Sequence, residues 1–342
     1  MTIAAPVRFT RPFAAAFGAC ALLLLSGCHD SADKGTTPSG TTSSSSGGSG
    51  GQTQLAFVTN NPSDYWKICK VGVDAAAKKL GDNVQFVEPA DGNVATQNQD
   101  VDDLLTKGVK GIAISPVDPA NQTDQLNTVA SKTNLITSDS DAPKSNRLCY
   151  IGTDNHAAGV MAGELIKKSI PQGGKILLFV GKSDAQNARD RISGIQDALK
   201  GSNITIADTR TDDTDRARAK QNAADAIVSN PDLAGMVGIW SYNGPAIYSA
   251  VKSAGKQGKI QIIAFDQEED TMNGIKDGTI AGTIVQQPYQ FGYKSVELLD
   301  KLAKGDKSGL PASKLMIIPT QVVNKANIAG YQADQAKLLG GS

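Results

Sequence analysis

Histidine is almost missing from this sequence: His29 and His156 are the only two in 342 residues. That scarcity excludes a histidine-rich zinc centre, and a Ser-His-Asp triad would rest on a residue that sits in no recognisable motif. Surplus positive charge is missing too. The 34 Lys and Arg are balanced by 34 Asp and Glu, so the basic footprint of a nucleic-acid binder is absent and no nucleic-acid partner is expected. No apolar run reaches the roughly 20 residues that span a bilayer. No G-x-G-x-x-G follows the first apolar segment, which speaks against a dinucleotide-dependent enzyme. Neither a metal nor a cofactor is expected.

What is present begins with an export pattern. Arg8 and Arg11 precede an apolar run from Pro12 to Leu25, which has the length and flanks of a secretory signal. Leu25-Ser26-Gly27-Cys28 then matches a bacterial lipobox. We expect residues 1–27 to be a lipoprotein signal peptide and Cys28 to carry lipid. Each buried acyl CH₂ contributes about 0.8 kcal/mol, so two or more chains anchor stably. Residues 28–53 are dominated by Ser, Gly and Thr. Such a stretch buries no apolar surface, and we expect a disordered tether spanning about 25–30 Å. The expected location is the periplasm or cell exterior, on a membrane. Cys69 and Cys149 are the other thiols of the mature chain. An oxidising compartment leaves a disulfide open, and two small buried apolar side chains are the commoner outcome.

The body alternates short apolar runs with helical stretches. One series runs through Leu55–Val58, Val84–Val87, Gly111–Ser115 and Leu135–Thr137, with helices over Tyr65–Leu80 and Val94–Lys107. A second runs through Lys175–Val180, Ile204–Ile206, Met236–Trp240, Ile260–Phe265 and Ile280–Val285, with helices over Asp213–Ser229 and Pro245–Ala254. Continuous apolar strands separated by helices predict parallel sheets covered on both faces. Two series predict two similar α/β domains.

Ligands of open parallel sheets bind beyond the carboxyl ends of the strands. The residues just after the strands are rich in Asn, Asp, Gln and Arg, with an aromatic pair at Tyr65-Trp66. Planar polar groups of this kind read neighbouring hydroxyls, and aromatic faces cover the C–H patches of a sugar ring. The chemistry is that of carbohydrate rather than phosphate. The candidate residues are Asn61, Tyr65, Trp66, Ser115 and Asp139 in the first series. In the second they are Asn187, Arg189, Asn243, Asp266 and Gln286. Arg189 stands near a helix start, where a cation is unfavourable, so a functional use is expected of it. Arg191 is expected to be structural or on the surface, and Asp212, Asp213 and Asp215 to form a solvated helix start.

In their order, Asn61-Pro62 with Tyr65-Trp66, Asp139, Asn187-Ala188-Arg189-Asp190-Arg191, Tyr242-Asn243-Gly244, Phe265-Asp266 and Gln286 resemble the type I periplasmic sugar-binding proteins, and among them the ribose-binding group. The resemblance covers about residues 54–330. It implies two Rossmann-like lobes with parallel sheets, joined by a three-strand hinge, that close on a monosaccharide. It places crossings near Thr153-Asp154, Gln286-Gln287 and Ile318-Pro319, so that 54–154 and 287–318 form the first lobe, and 155–286 and 319–342 the second. By it, Tyr65 and Trp66 stack on the ring, Asp139 binds hydroxyls from the first lobe, and Arg189, Asn243, Asp266 and Gln286 bind from the second lobe and hinge. The chain departs from the ribose-binding pattern at Ser115, Ser140 and Thr214, and Ser63-Asp64 is inserted before the aromatic pair. These departures imply a sugar other than ribose, without an aromatic cover from both sides.

The resemblance implies a non-enzyme, a receptor whose partners are a sugar, the permease subunits of an ABC importer and, through its lipid, a membrane. Sensing through a chemoreceptor or kinase stays open as an alternative. A glycosidase built on Asp139 with Asp141, or on Glu268-Glu269-Asp270, is a weaker one, since it needs two suitably spaced carboxylates.

Overall fold

The computed structural model describes residues 52–340. The signal sequence, the lipidation site Cys28 and nearly all of the expected tether lie outside the described residues. The first series of elements is β1 (Gln54–Val58), α1 (Asp64–Leu80), β2 (Asn83–Val87), α2 (Val94–Thr106), β3 (Gly111–Ile114), α3 (Thr123–Lys132), β4 (Asn134–Ser138) and β5 (Tyr150–Gly152). The second is α4 (Asn155–Ser169), β6 (Gly174–Val180), α5 (Gln186–Leu199), β7 (Ile204–Thr211), α6 (Arg216–Ser229), β8 (Leu233–Gly238), α7 (Asn243–Ser253), β9 (Gln261–Phe265), α8 (Glu269–Asp277) and β10 (Ile280–Val285). The chain ends with α9 (Pro288–Ala303), β11 (Leu315–Ile317), β12 (Gln321–Val323) and α10 (Ile328–Gly340).

These elements make two six-stranded sheets of matching order. One runs β11-β5-β4-β3-β1-β2, the other β12-β10-β9-β8-β6-β7. Pairings are parallel except that β12 runs antiparallel to β10, with Thr283 opposite Val323. The all-parallel expectation is therefore corrected at that edge. A three-residue strand arriving directly after β11 has no helix to turn it round. The chain leaves the first sheet after β5, returns to it with α9, and passes to the second again between β11 and β12.

Alternation along the central strands explains their continuous apolar sequence. In β1, Leu55 and Phe57 join the cluster beneath α1 and α9, while Ala56 and Val58 join the one beneath α2 and α3. In β6, Ile176, Leu178 and Val180 face one cluster, and Leu177 and Phe179 the other. Both faces are covered, so neither tolerates a polar residue. Cys69 and Cys149 are buried free thiols within one of these clusters, and burial raises the pKa of each.

Two helices of the second lobe touch through bare backbone. A Cβ on Gly159 of α4 would stand 2.1 Å from the Arg191 carbonyl oxygen, and one on Gly194 of α5 would stand 2.1 Å from that of His156. Only glycine allows this approach. Gly159→Ala should cost about 1–3 kcal/mol, read as a lowered melting temperature, and should displace the turn of α5 that carries Arg191. An unchanged melt would mean that the helices separate at no cost.

Candidate functional site

Each side chain of the site stands just beyond a strand end or in the helix that follows. After β1 come Asn60, Asn61 and Ser63, then Tyr65 and Trp66 in the first turn of α1. Asp139 follows β4. In the other sheet, Asn187 and Arg191 lie on α5 after β6, Trp240, Ser241 and Tyr242 follow β8, Asp266 follows β9, and Gln286 follows β10. Together they line a cleft of about 330 Å³, counted to its open mouth.

The two aspartates occupy equivalent places, since β4 and β9 are each third in their sheets. Both have left-handed backbones, with φ of 64° at Asp139 and at Asp266. Asp and Asn are among the few non-glycine residues that adopt this conformation readily. It turns the chain sharply off the strand end. Asp139 accepts hydrogen bonds from Tyr65 Oη (3.1 Å) and Ser115 Oγ (3.0 Å). Asp266 accepts from Gln286 Nε2 at 3.1 and 3.3 Å. None of these donors is charged. Burial therefore raises the pKa of Asp139, against the Arg191 charge and the two hydroxyls. Burial also pushes Asp266 up to about 6, helped by the Asp139 charge and opposed by Arg191 and Gln286.

Arg191, expected to be structural or on the surface, is buried and lines the cleft, and Arg189, expected to line it, does not. Arg191 is 1% exposed. Its Nε donates to Asn155 Oδ1 (2.9 Å) and its Nη1 to the Ile239 carbonyl (2.8 Å). Its guanidinium lies 4.5 Å over the Phe265 ring. Nη2 has no partner among the described residues. Arg189 is exposed and folds back onto the Asp184 carbonyl and Gln186 Oε1, outside the cleft. Helical phase is the cause. Asn187, Ala188, Arg191, Gly194 and Ile195 make the buried face of α5, and position 189 falls off it. The i, i+4 spacing of Asn187 and Arg191 was the sequence signal that could have separated them.

Two other expected contacts lie behind the site. Ser115 is not in the cleft wall; its hydroxyl holds Asp139. Asn243 is fully buried, accepting from Trp240 N (3.1 Å) and donating to Asp212 Oδ2 (2.9 Å). Asp212 also accepts from the Tyr242 hydroxyl, and burial raises its pKa to about 6. It is thus an interior anchor of the β8 loop rather than a solvated residue. Asp215 caps α6, accepting from Ala217 N and Arg218 N. Asn60, Ser63, Arg191, Trp240, Ser241 and Tyr242 were not among the expected site residues. Trp240 gives the second lobe an aromatic wall, held by its Nε1 donating to Asn187 Oδ1 (3.3 Å), so aromatic side chains line both halves of the cleft.

The weaker carboxylate pairs are engaged elsewhere. Asp141 is bound to Arg147 on both oxygens, and Glu268 to Arg216 and Ser241. Among the described residues no cluster of three or more His, Cys, Asp or Glu is arranged to hold a metal, and no helix is long and apolar enough to cross a membrane.

Two lobes with a polar, aromatic-walled cleft at their facing strand ends define a solute receptor. The periplasmic binding protein domain matches residues 55–307, and the chain belongs to that family, among its type I sugar-binding members. These are binding proteins and not enzymes. The chain is 30% identical over 253 residues to the ribose import binding protein RbsB of Salmonella typhimurium, covering 72% of this chain and 83% of that one. It is 27% identical over 259 residues to the D-allose-binding periplasmic protein of Escherichia coli, with coverage of 72% and 83%. A solute-binding protein of Burkholderia graminis, solved in complex with D-arabinose, superposes with a TM-score of 0.77 at 31% identity, covering 81% of this chain and 97% of that one.

Proposed function

We propose that this protein is an extracytoplasmic receptor that binds a monosaccharide or related polyol between its lobes and delivers it to the permease of an ABC importer. The observation that carries the reading is that Asp139, Asp266 and Arg191 line one cleft together with Asn61, Asn187, Gln286, Trp66 and Trp240, the Arg191 charge acting on both carboxylates. Carboxylates accept from sugar hydroxyls, the guanidinium donates to them, and such charge-assisted bonds are roughly twice as strong as neutral ones. The relatives named for ribose, allose and arabinose support the sugar class. The lobes are 54–154 with 287–318, and 155–286 with 319–342, hinged at the three passages between the sheets.

A thermal-shift panel of pentoses, hexoses and polyols tests the reading. At 100 times its dissociation constant a ligand stabilises by about 2.7 kcal/mol, and one sugar should raise the melting temperature. The same sugar should change tryptophan emission, since Trp66 and Trp240 are the two tryptophans of the chain and both line the cleft. Trp66→Phe and Trp240→Phe should each keep part of the change. A panel with no shift and no emission change would reject the sugar reading.

The lipid anchor on Cys28 and the tether are part of the proposal. They keep the receptor at the membrane while leaving its lobes free to close. Cys28→Ser should release soluble protein with unaltered sugar affinity. Variant protein that still sediments with washed membranes would refute the anchor.

A further inference from the structure

A buried chain of hydrogen bonds joins the acid that follows β4 to the cation on α5, and its two middle side chains, Tyr150 and Asn155, stand outside the cleft wall. It starts at Asp139, whose backbone N–H donates to the Ile151 carbonyl (3.1 Å). The Asp139 carbonyl accepts from the Tyr150 hydroxyl (3.0 Å). That hydroxyl also reaches the Thr153 carbonyl (2.9 Å) and accepts from Asn155 Nδ2 (3.3 Å). Asn155 Oδ1 in turn accepts from Arg191 Nε (2.9 Å). Tyr150, Asn155 and Arg191 are all buried, so water does not compete for these bonds.

This chain spans the first passage between the two sheets. Tyr150 begins β5, the strand before the passage, and Asn155 is the first residue of α4, just after it. Local sequence makes the room. Tyr150 and Gly152 share one face of β5, and a Cβ on residue 152 would stand 2.3 Å from the Tyr150 hydroxyl. Burial and the Asp139 charge raise the Tyr150 pKa well above its ordinary value, so the hydroxyl keeps the proton it donates. Asp139 has a left-handed backbone, with φ of 64°, and lies beyond the ladder of β4. Bonds at its N–H and its carbonyl fix the peptide planes on either side of its Cα, and with them the direction of its carboxylate.

Resting on the reading that Asp139 and Arg191 bind the sugar, we infer that Tyr150 and Asn155 are positioning residues for that binding. They set the carboxylate and the guanidinium in one geometry across the passage, and the ligand touches neither of them. Asn155 acts through Arg191 alone. Tyr150 acts through the Asp139 backbone as well as through Asn155.

Calorimetric titration of the full chain tests this. The probes are the free D-aldopentoses, D-aldohexoses and their alditols, and the tightest of them is carried into the variants. Tyr150→Phe keeps the ring and loses the hydroxyl; Asn155→Ala loses the amide. Each should weaken binding by about three- to thirtyfold, the range for residues that modulate a site without touching its ligand, while the circular dichroism spectrum stays that of the wild type. In an Arg191→Ala background, Asn155→Ala should change affinity by less than about twofold further, because its route to the ligand is gone. Tyr150→Phe should keep part of its effect there, through Asp139. A general loosening of the fold would instead weaken binding in both backgrounds alike. The inference is overturned if either single variant binds within about twofold of the wild type, or if Asn155→Ala costs as much in the Arg191→Ala background as in the wild type. If no probe binds, or if Arg191→Ala binds like the wild type, the reading of the sugar site falls and takes the inference with it, a result separate from those two.

Discussion

Arg191→Ala is expected to weaken sugar binding by about 100-fold or more, and Arg189→Ala to change it less than twofold. Arg191 is the cation whose charge acts on the two cleft carboxylates, and its free Nη2 is a donor held ready by three other contacts. Truncating a buried hydrogen-bonded charge of this kind costs about 2–5 kcal/mol, and 1.4 kcal/mol is tenfold in affinity. The same change strands Asn155 Oδ1 and the Ile239 carbonyl, which Arg191 now satisfies. The variant should therefore also melt lower without ligand. Calorimetric titration of both variants, with circular dichroism to establish folding, checks the pair. Equal effects of the two substitutions, or a larger one at Arg189, would overturn the exchange of roles.

Asp266→Asn should weaken binding by roughly 10- to 100-fold while making the ligand-free protein more stable at pH 8. Burial lifts Asp266 from an ordinary 3.8 to about 6 in the folded state. A raised carboxyl pKa means that between pH 4 and 6 the folded protein holds a proton that the unfolded chain has released. Stability from this group is thus full below about pH 4 and is lost as pH rises through 6, by roughly 3 kcal/mol at 1.36 kcal/mol per unit. Asp212, also raised to about 6, acts in the same direction. Asparagine keeps the left-handed backbone at φ 64° and a side-chain acceptor while removing the charge. Denaturant melts at pH 5 and pH 8 should show the wild type losing stability over that interval, and the variant losing less. An identical loss in both would show that Asp266 is not held protonated. The instability is the expected cost of burying a carboxylate whose side-chain donor is the neutral Gln286 amide.

The sequence by itself determined the architecture. Runs such as Leu55–Val58 and Leu177–Val180 have no polar position, so they fit only strands buried on both faces, and parallel strands need the helices that stand between them. It also marked the strand ends as the place of the site, and Asn61, Tyr65, Trp66, Asp139, Asn187, Asp266 and Gln286 do converge there. Tertiary structure alone decided which polar side chains look into the cleft. Arg189 and Arg191 are two residues apart in one helix, and a rotation of about 200° separates them. Asn243 and Ser115 carry the right chemistry but spend it on Asp212, Trp240 and Asp139, partners distant in sequence or visible only once the strands align. Trp240 read as the end of an apolar strand until the two lobes faced each other. The antiparallel β12 is too short for its sequence to carry a pattern. Local sequence fixes burial and periodicity over a few residues. The facing of two separate sheets, and hence the membership of a cleft between them, depends on contacts between residues more than a hundred positions apart.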